Sequence, residues 1–174
     1  MDLMIDIETL ATDHDAVIMT IAAQVFDPLQ NGWPERHFYA RVTTESQPNR
    51  KVDDATVEWW AHQAPEAQRE VFEDVGRRPL HECLEDLGKL IWHSERIWAN
   101  GPTFDMNILE HAYKEFGQNL PWKFWRVRDC RTVYSLWPDM PEVKSASHHA
   151  LDDCKRQIQM LQSCIKHLGI NKIK

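Results

Sequence analysis

Leu3-Met4-Ile5-Asp6-Ile7-Glu8-Thr9-Leu10 is the stretch that decides the fold. It reads as a buried strand, short and apolar except for two carboxylates two residues apart. Side chains alternate faces along a strand, so Asp6 and Glu8 point one way and Leu3, Ile5 and Ile7 the other. Two carboxylates side by side in an apolar setting raise each other's proton affinity. A pair of surface acids has no need of that setting. A divalent cation explains it, and a cation held there suggests phosphoryl chemistry.

Two further strands follow closely. Residues 16–26 are rich in β-branched side chains and stop at Asp27-Pro28, and residues 36–42 alternate polar and apolar. The short connections predict an antiparallel meander. Helices then dominate. Asp53 or Asp54 caps one that runs to 62, Ala64-Pro65-Glu66 starts a second, and Pro79 opens a third to about 92. Residues 96–99 read as a short strand, followed by a helix over 103–116 that Gly117 ends. Residues 124–127 are expected as a final strand, with a short helix after Asp129 and a last helix over 150–168. The expected fold class is therefore α/β: a ribonuclease-H-like mixed five-stranded sheet, an antiparallel meander and then parallel strands, flanked by helices. The first strand is central in that arrangement.

The 174 residues suit a single domain over 1–174, and 43% hydrophobic with 27% charged residues is a globular composition. No apolar run approaches the ~20 residues of a membrane span, and the first residues carry acids rather than a basic leader, so a cytoplasmic location is expected. The four cysteines are scattered with no Cys-x-x-Cys pair, which excludes a zinc knuckle and predicts buried free thiols. A net charge of −7 argues against broad electrostatic binding of duplex nucleic acid. It leaves open a nucleic-acid enzyme whose carboxylates are neutralised locally by cations.

Two more acids stand at helix starts. Asp105 lies four residues before Leu109, on the apolar stripe Leu109, Ala112, Tyr113, Phe116. Asp153 borders the seam Cys154, Ile158, Leu161, Ile165 in the first turn of the last helix. Taken alone, Asp105 is better explained by the helix dipole and the free amides of the first turn, and Asp153 repeats the situation. His148 precedes Asp153 by five residues. A histidine there is an ordinary solvated neighbour of a helix cap, or a base, since imidazole titrates at about 6.5.

The order strand Asp-x-Glu, helix Asp, His-x-x-x-x-Asp resembles the DEDDh 3′–5′ exonucleases. Asp6-Ile7-Glu8-Thr9-Leu10 looks like their first motif, Asn100-Gly101-Pro102-Thr103-Phe104-Asp105 the second, and His148-His149-Ala150-Leu151-Asp152-Asp153 the third. The family spacing selects His148 and Asp153 over His149 and Asp152. Thr56-Val57-Glu58-Trp59-Trp60 with Gln63 and Pro65-Glu66-Ala67, and Phe124-Trp125 with Arg128-Asp129 and Arg131-Thr132, resemble the phage exonuclease A group and its short bacterial exoribonuclease relatives such as RNase AS.

The resemblance implies a single-stranded substrate, RNA or DNA, cut from a free 3′ end to nucleoside 5′-monophosphates. It implies two divalent cations, Mg²⁺ or Mn²⁺, as hard oxygen ligands favour. Asp6, Glu8 and Asp153 are implied to hold the first ion, Asp6 to bridge to a second with Asp105 assisting, and His148 to take the proton of the attacking water. Thr9 and Leu10 are candidates to place backbone and an apolar side chain against the last nucleotide. Of Trp59 and Trp60, one is expected in the core and the other as a base-stacking platform. Arg126, Arg128 and Arg131 are either phosphate contacts or partners of nearby acids such as Asp129. Relatives are often dimers, and the eight tryptophans leave room for a homodimer interface. Three other readings are weaker. A restriction-type site at Pro138-Asp139 with Glu142-Val143-Lys144 lacks a strand pattern, a ribonuclease-H-like endonuclease does not explain the His148-to-Asp153 spacing, and a catalytically silent binding module would have lost one of the five residues.

Overall fold

Strand β1 (Asp2–Thr9) runs through the interior of a six-stranded sheet with the order β4-β3-β2-β1-β5-β6. The computed structural model describes residues 1–141, 143 and 148–173. β2 (Ile18–Phe26) pairs antiparallel with β1, and β3 (His37–Val42) antiparallel with β2. All nine β2 residues are buried, which suits a strand whose only polar members are Thr20 and Gln24. Helices α1 (Asp54–Ala61) and α2 (Pro65–Phe72) follow, then the two-residue edge strand β4 (Arg77–Arg78), parallel to β3. Helix α3 (Leu80–Trp92) leads to β5 (Ile97–Ala99), which lies parallel beside β1. Helix α4 (Pro102–Glu115) precedes β6 (Val127–Asp129), parallel to β5. Helices α5 (Cys130–Tyr134) and α6 (Ala150–His167) complete the chain.

The meander and the parallel strands are those expected, with two corrections. The sheet has six strands rather than five, because β4 is too short to show a period in the sequence. Residues Phe124–Arg126 form a 3₁₀ turn, and the last strand starts at Val127. Arg126 causes the shift: its guanidinium donates to the carbonyls of Ile91, Ser94 and Glu95 and pins the turn against the end of α3.

The alternation along β1 sorts the core. Leu3, Ile5 and Ile7 pack with Leu84, Leu87 and Ile91 of α3 and with Ile108 and Leu109 of α4. Met4, on the opposite face, packs with Ile158 and Leu161 of α6. A third cluster joins Leu10, Met19 and Trp60 to Ala67 and Val71 of α2. Two polar side chains tie the segment between β3 and α1 to this frame. Gln47 exchanges two 2.8 Å bonds with the backbone of Ile18, imitating a strand neighbour. Arg50 is buried, donates to the carbonyl of Ala16 at 2.7 Å and pairs with Glu115 of α4 at 2.8 Å. All four cysteines are free and buried. No helix among the described residues is long and apolar enough to cross a membrane. Glu142 and Lys144 of the restriction-like segment lie outside the described residues.

Candidate active site

The carboxylates converge where the parallel strands end. β5 covers only Leu3 and Met4 of β1, so the amide of Ile7 has no strand partner on that side. Asp105, in the first turn of α4, accepts it at 3.3 Å and thereby sits between Asp6 and Glu8. The turn into α4 depends on Gly101, whose φ of 111° disfavours any side chain. The register of β1 against β2 slips between Glu8 and Thr9, a bulge of the kind found beside functional sites.

α6 delivers the rest. Asp153 stands in its first turn and accepts from Arg156 at 3.0 and 3.1 Å. Gln157, one turn on, donates to Asp6 Oδ1 at 2.7 Å, and its own Oε1 is buried without a partner. One oxygen each of Glu8 and Asp153 and one ring nitrogen of His148 lie within 4.8 Å of one another. Asp6 and Asp105 line the same cleft of about 270 Å³ but are not in that close group. Gln157 was not foreseen. Its signal was a polar residue four after Asp153, hence on the same helical face.

Burial is the first cause of unusual proton affinity here. It pushes the Asp6 carboxyl well up, and the charges of Asp105 and Asp153 add to it. Glu8 is pushed well up by burial and then by Asp6 and Asp153. Asp105 is pushed up to about 7 by burial, held back by the Ile7 amide and by Arg131. Three carboxyls with raised proton affinity beside Asp153 and one imidazole offer the oxygen-rich donor set that fits hard divalent cations, whose positive charge would offset the crowded acids.

A second cleft of about 480 Å³ adjoins the first and shares Glu8 and Phe104 with it. Trp59 lines it and is 46% exposed, whereas Trp60 is 1% exposed and donates its indole N–H to the carbonyl of Thr9 at 2.9 Å. Both tryptophans line the cleft, Trp60 with its side chain buried in the core and Trp59 half-exposed. Thr9 lines the cleft, but its hydroxyl is taken by the carbonyl of Ala11. Leu10 is a correction: its side chain is buried against Met19 and Trp60 rather than offered to the cleft, because the bulge turns the strand end inward. Arg131 lines the carboxylate cleft and donates to the carbonyl of Asn100 at 3.1 Å. Arg128 donates to the carbonyls of Trp125 and Val127 instead. Asp129 spends its carboxylate on capping α5, accepting from the Arg131 amide and the Thr132 hydroxyl. Phe104, which faces both clefts, was missed; it sits directly before Asp105 in the motif.

The comparisons agree with this geometry. Residues 1–165 match the model of the Rv2179c-like 3′–5′ exoribonuclease domain. The exodeoxyribonuclease of enterobacteria phage T4 is 26% identical over 95% of this chain and 89% of its own length. The nuclease domain of 3′hExo, a DEDDh family member solved with rAMP, superposes with a TM-score of 0.62 at 13% identity, covering 96% of this chain and 92% of that one. Exonuclease X, solved with 5′-overhanging duplex DNA, gives 0.59 at 18% identity over 97% and 93%. With its acids, histidine and sheet in this arrangement, the chain belongs to the Rv2179c-like 3′–5′ exoribonuclease domain family and is a 3′–5′ exonuclease.

Proposed function

We propose that the chain shortens single-stranded RNA from a free 3′ end and releases nucleoside 5′-monophosphates, with two divalent ions held by Asp6, Glu8, Asp105 and Asp153 and with His148 as general base. One observation carries this reading: His148, Glu8 and Asp153 meet within 4.8 Å at the border of an aromatic-lined cleft. The match to an exoribonuclease domain over residues 1–165 supports RNA, against the pull of the phage exodeoxyribonuclease relative toward DNA.

Bound divalent ions supply Lewis-acid polarisation of the phosphate and neutralise the charge that builds up on it. The chain does the rest. Trp59 and Phe104 offer faces to the terminal base, and Glu8 stands between that base and the carboxylate cleft. Stacking of this kind contributes about 1–3 kcal/mol per base and tolerates any base, which suits an enzyme acting on unpaired ends. Arg131 sets a positive charge beside the scissile phosphate. His148 accepts the proton of the attacking water as its oxygen bonds to phosphorus, and the bond to the departing 3′ oxygen breaks. Gln157 holds Oδ1 of Asp6, and the remaining oxygen would be the one to hold an ion.

Digestion of 5′-labelled single-stranded RNA and DNA, side by side in Mg²⁺ and in Mn²⁺, tests this. A descending ladder with 5′-monophosphate products, faster on RNA, is expected. Faster decay of DNA would transfer the substrate to the deoxy polymer. Internal fragments without mononucleotides would end the proposed function.

A further inference from the structure

The third motif carries two adjacent histidines, and the mechanism above uses only His148. We infer that His149 is a positioning residue, held by a cluster on the far wall, that fixes His148 over the carboxylates. The inference rests on the reading of His148 as the base.

The two rings are anchored on opposite sides. His148 meets Trp59 edge-on at 5.3 Å and Trp60 at 6.0 Å, both on α1. His149 stacks on Tyr39 of β3 at 5.0 Å and 17°. Its Nε2 lies 3.6 Å from Glu70 Oε1 of α2, a few tenths of an ångström beyond a hydrogen bond. Glu70 is itself buried, and Arg41 of β3 fixes its other oxygen at 2.9 Å. The carbonyl of His149 accepts the Asp153 amide at 2.9 Å, so the same residue also sets the start of α6.

His148 needs such an anchor. Its φ of 44° makes it the one non-glycine residue with positive φ among those described. A left-handed histidine persists only where its surroundings over-determine it. The peptide that carries this φ is followed directly by the ring that Tyr39 and Glu70 hold. Arg41 accounts for one oxygen of Glu70; the other, Oε1, like His149 Nδ1 and Tyr39 Oη, is buried with no hydrogen-bond partner and faces His149. The contact with a carboxylate sets His149 as donor through Nε2, with Nδ1 as the idle acceptor.

A double-mutant cycle on the full chain tests the coupling. His149→Ala should lower kcat by about 10- to 100-fold, the scale of a misplaced catalytic group, with KM for a single-stranded oligonucleotide unchanged. The same change in a His148→Ala background should cost nothing further. His149→Gln, whose amide can donate from the position of Nε2, should recover most of the loss, and Glu70→Gln should lower kcat in the same way without removing a ring. Equal losses in both backgrounds, or a loss carried by KM, would overturn the positioning role. Full activity in His148→Ala alone would instead remove the base on which it depends. Thermal melting of each variant, expected to stay cooperative, separates misplacement from misfolding, and the Glu70→Gln and His149→Gln pair decides the matter if His149→Ala does not fold.

Discussion

Asp2 and Asp6 lie on the same strand and the same face, four residues apart, Asp2 buried and Asp6 partly buried in the wall of the cleft. Asp2 is 0% exposed and has its own cation: Oδ2 accepts from Arg96 Nε at 2.8 Å and from Trp98 Nε1 at 2.7 Å, while Oδ1 is buried without a hydrogen-bond partner. Asp6 accepts from one neutral amide, that of Gln157, and faces Glu8, Asp105 and Asp153; the nearby cation Arg156 donates to Asp153. A buried acid beside its own cation is part of the fold. A buried acid among acids waits for a cation from solution. The difference separates structure from chemistry within one strand, and it follows from which end of the parallel strands each residue occupies.

Substitutions should keep the two apart. Asp6→Asn is expected to lower kcat by more than about 10²-fold, beyond the 10- to 100-fold typical of residues that only support a metal ligand. The metal-free variant should be at least as stable as the wild type, because removing one charge relieves its neighbours. Steady-state kinetics together with melting curves check both halves. Asp2→Ala should do the reverse. It removes the buried partner of Arg96 and should cost about 3 kcal/mol, the low end for a broken buried pair, since Arg96 is partly exposed and keeps Glu95 and the carbonyl of Ile173. The residual activity per folded molecule should be close to wild type. A collapse of activity at unchanged stability would erase the contrast.

A smaller effect concerns pH. The carboxyl of Asp105 titrates at about 7 in the fold against 3.8 for the ordinary group. Between those values the folded state binds more protons than the unfolded state, so this group's contribution is fully present at low pH and is lost as pH rises through about 7. Without divalent ions, Asp105→Asn should therefore gain stability over the wild type at pH 8 and gain little at pH 4. Each kcal/mol is worth about 2–4 °C in a chain of this size. Added Mn²⁺ should stabilise the wild type at pH 8 and narrow the gap. An identical gap at both pH values would show that burial does not hold the proton.

Much of this was legible along the chain. Alternation exposed β1 and its two acids, and helical spacing turned Asp105 and Asp153 inward. Contacts between distant residues were not legible. Arg126 folds the 3₁₀ turn by reaching the carbonyls at the end of α3, some thirty residues earlier, which no local pattern announces. Leu10 read as an apolar side chain beyond the catalytic acids, and only the bulge at Glu8/Thr9 turns it into the core. The pairing of Asp2 with Arg96 and of Glu70 with His149 depends on strand and helix placement, so sequence alone could not tell the structural acid from the functional ones.

The contrast between Asp2 and Asp6 comes down to bound charge, and a calorimetric titration of the metal-free protein with Mn²⁺ at pH 7, run in two buffers of different protonation enthalpy, measures it. Two ions per chain with release of protons from the crowded carboxyls are expected, both weakened by Asp6→Asn and neither by Asp2→Asn. Binding without proton release, or binding indifferent to Asp6→Asn, would contradict it.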